Sequence, residues 1–236
     1  SSGRKIGPVA LKIAAACAVV AVVGVAASNN FSKQQTQAFE TPVGGHETLK
    51  LADGSRIELN TSTKVRVMLS AGQREVWLDR GEAYFEVQHN AARPFTVVTG
   101  NHRITDLGTK FAIRASGDSL RVALVEGRAR FETDSLWNQP QTVLLTPGDV
   151  VIATKTSLSM ERQPPRLLND ALGWRRGMLI FDRTPLADVA AQFNRYNAQK
   201  LSVSGSAARM KIDGTFPATN IEDFLHLARD VLGLKV

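Results

Sequence analysis

The sequence predicts a mainly β protein that ends in a small α+β domain, and three observations predict it. From Thr48 to about Leu145 the apolar residues fall on alternate positions, with Gly, Asp, Asn and Ser clusters between the runs, the period of strands that bury one face. From Leu186 the spacing changes to i, i+3, i+4 and i+7, the period of a helix with one apolar stripe. Ahead of both patterns lies an uncharged run, IAAACAVVAVVGVAA at residues 13–27, which with the upstream residues from Ile6 is long enough to cross a bilayer.

The N-terminal reading follows from charge. Residues 6–27 are broken only by Lys12, close enough to Arg4 and Lys5 for its stem to reach the same face, while Ser28-Asn29-Asn30 at the other end is uncharged. The positive-inside rule then gives a single N-terminal transmembrane helix with residues 1–5 as a cytoplasmic remnant, 28–41 as a polar tether and the bulk of the chain outside the cytoplasm. A cleaved signal peptide with Ser28 as the first mature residue is the competing reading, and the anchor is preferred. Because the sequence opens Ser1-Ser2-Gly3 rather than with Met, a cytoplasmic segment is expected upstream.

In the middle, residues 42–155, the apolar positions are Leu49 and Leu51, Ile57 and Leu59, Val65, Val67 and Leu69, Val76 and Leu78, Phe85 and Val87, then further sets through Phe131 and Val143–Leu145. Gly54, Gly81, Gly108, Gly127 and Gly148 punctuate them at uneven intervals, so the expectation is an irregular antiparallel β-roll or β-helix-like domain rather than a regular solenoid.

Residues 156–173, with Pro164-Pro165, read as a linker, and 174–236 as a β-α-β-β-α-β unit. Met178–Phe181 is its first strand; Thr184 caps a helix whose first residue is Pro185 and whose stripe is Leu186, Val189, Ala190 and Phe193. Leu201 and Val203 form a second strand, and Ile212, Thr215 and Phe216 a third around Gly214. Asn220 caps the last helix with Asp223 three residues on, and Leu234–Val236 begin a final strand whose open edge a partner strand can extend. Trp174 at the start of this unit reads as a buried wedge, with Arg175 and Arg176 solvated, or else as part of a partner surface.

Composition excludes several functions. The net charge is +7, but the 29 Lys and Arg are scattered and not interleaved with aromatics, so no direct nucleic-acid contact is expected. Cys17 is the single cysteine and lies in the apolar run, and His46, His89, His102 and His226 are too far apart to make a metal shell. No phosphate loop or nucleophile elbow occurs, and no cofactor is expected.

The ordered set LADGSRIELNTST (51–63), LDRGEAYFEV (78–87), ARPFTVVT (92–99), DLGTKFAI (106–113) and VALVEGRARF (122–131) resembles the periplasmic domain of FecR-type transmembrane regulators of extracytoplasmic-function sigma factors. The last unit is similar to the secretin and TonB N-terminus domain with which such regulators end, through Trp174, Gly177, Leu179, Phe181, Pro185 and Leu186. The resemblance implies an inner-membrane anti-sigma factor that senses the signalling domain of a TonB-dependent outer-membrane receptor of the iron-siderophore type. It also implies a sigma factor bound through the expected N-terminal segment, and membrane proteases that release it. Trp174, Leu179, Phe181, Leu201, Val203, Ile212 and Phe216 are the partner-binding candidates. The chain is then no enzyme, apart from a single self-cleavage at Gly108-Thr109 that some members of the family perform; without the family, the same two residues read as a β-bulge with a buried hydroxyl. The alternative from another class is a periplasmic carbohydrate- or cell-wall-binding β protein or a cupin-like enzyme, disfavoured by isolated histidines and few aromatics.

Overall fold

The computed structural model describes residues 36–136 and 139–230. The predicted transmembrane helix and the final strand at Leu234–Val236 lie outside the described residues. Among the described residues no helix is long and apolar enough to cross a membrane.

Thirteen strands form one curled sheet with two limbs, and one strand serves both. That strand is β5 (Arg74–Glu86). The first limb joins β1 (Gln37–Glu40), β4 (Lys64–Leu69), the first half of β5, β6 (Phe95–Thr99), β7 (His102–Asp106), β10 (Ala129–Leu136) and β11 (Gln139–Leu145). The second joins β2 (Glu47–Lys50), β3 (Arg56–Leu59), the second half of β5, β8 (Lys110–Ser116), β9 (Ser119–Glu126), β12 (Asp149–Ala153) and β13 (Leu158–Arg162). Pairing is antiparallel except between β5 and β6, because the chain leaves β5 in the second limb and returns to the first. The sheet is thus the irregular, largely antiparallel β domain that the alternation predicts, begun earlier than expected: β1 lies within the stretch read as tether, and β13 within the stretch read as linker.

The bend in β5 has a local cause. Register slips opposite Lys64 and Val65, which leaves Asp79 as the extra residue of a bulge, and Gly81 follows at φ +92°. A Cβ on Gly81 would stand 2.4 Å from Thr63 Oγ1, so only glycine fits. Thr63 closes the corner: its Oγ1 accepts from the Glu82 amide at 2.9 Å, and its own amide donates to Thr41 Oγ1 at 2.9 Å.

Alternation then builds the core between the limbs. Val65, Val67, Val76 and Leu78 face Ile57, Phe85, Phe111, Ile113, Val122 and Leu124, all buried. The Phe85 ring stacks on Phe111 at 4.9 Å and meets Phe95 edge-on at 6.4 Å.

The opposite face of the second limb is buried as well, and the C-terminal unit is what covers it. Helix α1 (Pro165–Ala171) sets Leu168 on Ala123 and Val150. A 3₁₀ turn (Gly173–Arg176), β14 (Met178–Pro185), α2 (Leu186–Tyr196), β15 (Lys211–Pro217) and α3 (Ile221–Asp230) follow, with Trp174, Phe181, Phe193 and Phe224 sharing one apolar cluster with Tyr84 and Ala112 of the β domain.

Three local expectations change here. The segment at Leu201 and Val203 is no strand: the Asn194 side chain takes the pairing instead, donating to the Leu201 carbonyl at 2.8 Å and accepting from its amide at 2.6 Å. Thr184 does not cap α2. The strand β14 runs on to Pro185, and the Leu186 amide donates to the Met210 carbonyl at 2.8 Å, which leaves the cap no role. The linker reading of 156–173 gives way to β13 and α1. Asn220 does cap α3, its Oδ1 accepting from the Asp223 amide at 3.2 Å.

Candidate functional site

Two groups of polar residues stand out, and the first joins the two folds. Strand alternation turns Glu58, Glu82, Tyr84 and Glu86 away from the core, and the C-terminal unit lands on them. Arg175 donates to Glu58 through Nε (2.9 Å) and Nη2 (2.7 Å), reaches Glu86 at 3.3 Å, and lies 3.7 Å from the Tyr84 ring centroid. Arg56 bridges the same two carboxylates at 3.0 and 2.9 Å, and the His46 ring sits between Glu58 (3.8 Å) and the edge of Trp174 (5.6 Å). Burial pushes the Glu58 carboxyl up, but the hydrogen bonds and charge of Arg175, with Arg56 and His46, outweigh it and hold the pKa below the ordinary value.

A second clamp lies one turn of chain away. Arg195 at the end of α2 pairs with Glu82, and Asn60 Nδ2 donates to Glu82 (2.9 Å) and to the Tyr196 hydroxyl (2.8 Å). Thr61 Oγ1 donates to the Arg195 carbonyl at 3.0 Å. The Arg195–Glu82, Asn60–Tyr196 and Thr61–Arg195 contacts cross from the β domain to the C-terminal unit, so the two sit in one register.

The second group is the turn between β7 and β8. Asp106 ends β7 and accepts from the Gly108 amide at 3.0 Å and from the Thr109 hydroxyl. Both Asp106 and Thr109 are buried. Burial raises the Asp106 carboxyl to about 6; the Gly108 amide and the charges of Arg74 and His89 pull the other way without cancelling it. Gly108 at φ +99° lies against His89, and Gly127 leaves room for the Gly108 carbonyl, since a Cβ there would fall 2.2 Å from that oxygen. A buried hydroxyl bonded to a carboxyl whose pKa is raised by burial has the pairing that a nucleophile and a base require.

Gly108 and Thr109, the candidates from the sequence, lie beside Asp106 in one turn. The partner-binding candidates take another position: Trp174, Leu179, Phe181 and Ile212 are buried, and Leu201, Val203 and Phe216 are half-buried, all in the apolar cluster of the C-terminal unit. Arg175, read as solvated, is the ion-paired centre of the junction, while Arg176 is exposed. Sequence reasoning missed Glu58, Glu82, Arg195 and Tyr196. The one available signal was a row of acidic residues at outward strand positions.

The chain is thus a bent β domain with a small α+β unit locked onto its outer face. Residues 37–130 match the family model described as FecR protein, and the chain carries a FecR domain. The fold is similar to two crystal structures of "a putative anti-sigma factor from Parabacteroides distasonis ATCC 8503", at 2.50 and 1.65 Å resolution. Both give a TM-score of 0.65 at 20% identity and cover 93% of that chain; they cover 85% and 84% of this one. No curated protein matches the chain.

Two predictions follow from the charges. Arg175→Ala leaves Glu58 with only Arg56 and His46 and should cost roughly 2–3 kcal/mol of stability, because a buried carboxylate loses its main partner; urea denaturation measures it, and Glu58→Gln added to it should recover part of the loss. The two carboxyls respond to pH with opposite signs. Stability due to Glu58 is lost as pH falls below the usual carboxylate range of about 4. Asp106 binds its proton more tightly folded than unfolded, so its contribution falls as pH rises from about 4 through about 6. In Asp106→Asn, that decline between about pH 4 and 6 should disappear from a series of urea midpoints.

Proposed function

We propose that the chain is the sensing part of a single-pass inner-membrane anti-sigma factor. Residues 6–27 anchor it with the N-terminus in the cytoplasm, and the residues from Gln37 onward stand in the periplasm. The FecR match at residues 37–130 carries this reading, and the fold shared with the Parabacteroides distasonis protein, whose description is that of an anti-sigma factor, supports it.

In this reading the periplasmic partner is the signalling domain of a TonB-dependent outer-membrane receptor of iron-siderophore type. The cytoplasmic partner is an extracytoplasmic-function sigma factor, and membrane proteases end the signal by cutting near the anchor. The clamps of Arg175 and Arg195 make the C-terminal unit and the β domain one body, so a load on one is passed to the other. Receptor contact belongs on the outer surface of the C-terminal unit, because the apolar residues first considered for it are engaged inside.

The turn at Asp106 supports a single self-cleavage. Asp106 takes the Thr109 hydroxyl proton, Oγ1 attacks the Gly108 carbonyl carbon, and the Gly108–Thr109 C–N bond breaks as the Thr109 amine leaves with a proton, giving an ester. Water then opens the ester to a Gly108 carboxylate and restores the Thr109 hydroxyl.

Two experiments check these readings. Pull-down of the chain with the signalling domains of TonB-dependent receptors should recover a complex with one of them, and exposed-surface charge reversals on α3, such as Glu222→Lys, should weaken it; recovery of no complex with any such receptor domain would remove the receptor from the scheme. On denaturing gels, wild type should give two fragments divided at Gly108-Thr109, and Thr109→Ala one intact band. Two fragments from Thr109→Ala, or one band from both proteins, would refute the self-cleavage.

A further inference from the structure

A cleft of about 350 Å3 lies where the bend of β5 and the end of β8 face the last turn of α2, away from Asp106 and from Arg175. Four cations line it, Arg80, Arg114, Arg195 and Lys200, with the hydroxyl residues Ser62 and Ser116, and no carboxylate is among its walls. Two of the cations are matched: Arg195 pairs with Glu82, and Arg80 with Glu40. The other two are not. Lys200 Nζ donates to the backbone carbonyls of Asn194 (2.5 Å) and Asn197 (2.7 Å), which carry no charge. Among the described residues, the Arg114 side chain makes no hydrogen bond and no ion pair.

Arg114 is in an unfavourable place for a fold that has no use for it. It is half-buried, and it stands opposite Arg121 across the β8–β9 ladder, where like charges repel, and opposite Glu82 across the β5–β8 ladder, a carboxylate already paired with Arg195. Burial, and then repulsion from Arg195, draws its pKa below the ordinary value, and Glu82 offsets this only in part. A half-desolvated guanidinium has five N–H donors and needs acceptors. Arg114 also reaches an adjoining cleft of about 300 Å3, but there Glu82, Asp170 and Asp188 stand among the walls with Arg121 and Arg195, so the excess of positive charge belongs to the first cleft. In the first cleft, donors in excess and no carboxylate on the walls describe the complement of an oxyanion.

We propose that the cleft at Arg114 binds an oxyanion, a carboxylate or phosphate group, gripped by the Arg114 guanidinium with Lys200 and Arg80 on either side. The planar fork of an arginine takes two oxygens of such a group at once, and a lysine adds a point charge. A small polyvalent anion and an acidic side chain of a peptide present the same chemistry. The site does not depend on the receptor or sigma-factor reading. Since the cleft is built by both parts of the chain, the ligand would bridge the β domain and the C-terminal unit.

Calorimetric titration of the purified chain at constant ionic strength tests this, with inorganic phosphate, citrate and an acetylated Asp-Glu tetrapeptide as ligands and sodium chloride as control. At least one of the three should bind saturably, and Arg114→Gln and Lys200→Gln should weaken it about tenfold or more, the loss of one or two charge-assisted hydrogen bonds. Arg103→Gln, on an exposed arginine of the first limb, should leave it unchanged. Tighter binding of phosphate or citrate than of the peptide assigns a small anion; the reverse assigns a protein partner. Because Arg114 has no bond to lose, Arg114→Gln should melt at or above the wild-type temperature without ligand. No binding beyond the chloride control, equal binding by Arg114→Gln, or a lowered melting temperature of that variant would each overturn the proposal.

Discussion

Strand β5 belongs to two limbs of the sheet at once, and the turn it makes at Gly81 governs what the rest of the chain can do. A bulge at Asp79 and a left-handed glycine let thirteen residues of one strand serve two sets of neighbours. The fold between them closes over Phe85, Phe95 and Phe111, and that apolar contact is the source of most of the stability of the β domain. The same bend turns Glu82, Tyr84 and Glu86 outward in a row. Without it there would be no second face for the C-terminal unit to occupy.

What holds the C-terminal unit there is partly charge, and charge at a dry contact stabilises little in total while specifying much. Arg175 and Arg56 alternate with Glu58 and Glu86, and Tyr84 lies under the Arg175 guanidinium, so every buried charge of the cluster has an opposite neighbour. Apolar contact of Tyr84 and Ala112 with Trp174 and Leu179 adds the attraction, and the ion pairs fix the register. Asn60 and Tyr196 repeat the arrangement around Glu82. A signalling protein with this junction moves as a body, and a partner pulling on one part acts on both.

Asp106 and Arg114 are two of the described places where the chain keeps a titratable or charged group in surroundings that work against its charged form. Asp106 is buried beside a hydroxyl and a left-handed glycine, which keeps its proton near the neutral range. Arg114 sits between two other arginines with one shared carboxylate in the neighbourhood. Such surroundings cost stability at both positions, and the folded chain holds both groups in place regardless.

The sequence by itself determined the elements. Alternation at Val65-Val67 or Val76-Leu78 can be satisfied only by strands with one dry face, and the Leu186-Val189-Ala190-Phe193 stripe only by a helix, because those periods are properties of the backbone. Gly108-Thr109 stands out in the sequence, although His89 and Gly127, which pack against Gly108, come from other parts of the chain. The tertiary structure decided everything that depends on residues far apart. Leu201 and Val203 have the pattern of a strand, but the Asn194 amide reaches them first. Arg175 looks like a solvated cation until Glu58, 117 residues earlier, comes opposite it. Periodicity tells which way a side chain points from its own strand or helix; it carries no information on which distant charge will be waiting there, and that is set only when the β5 bend brings the second limb and the C-terminal unit face to face.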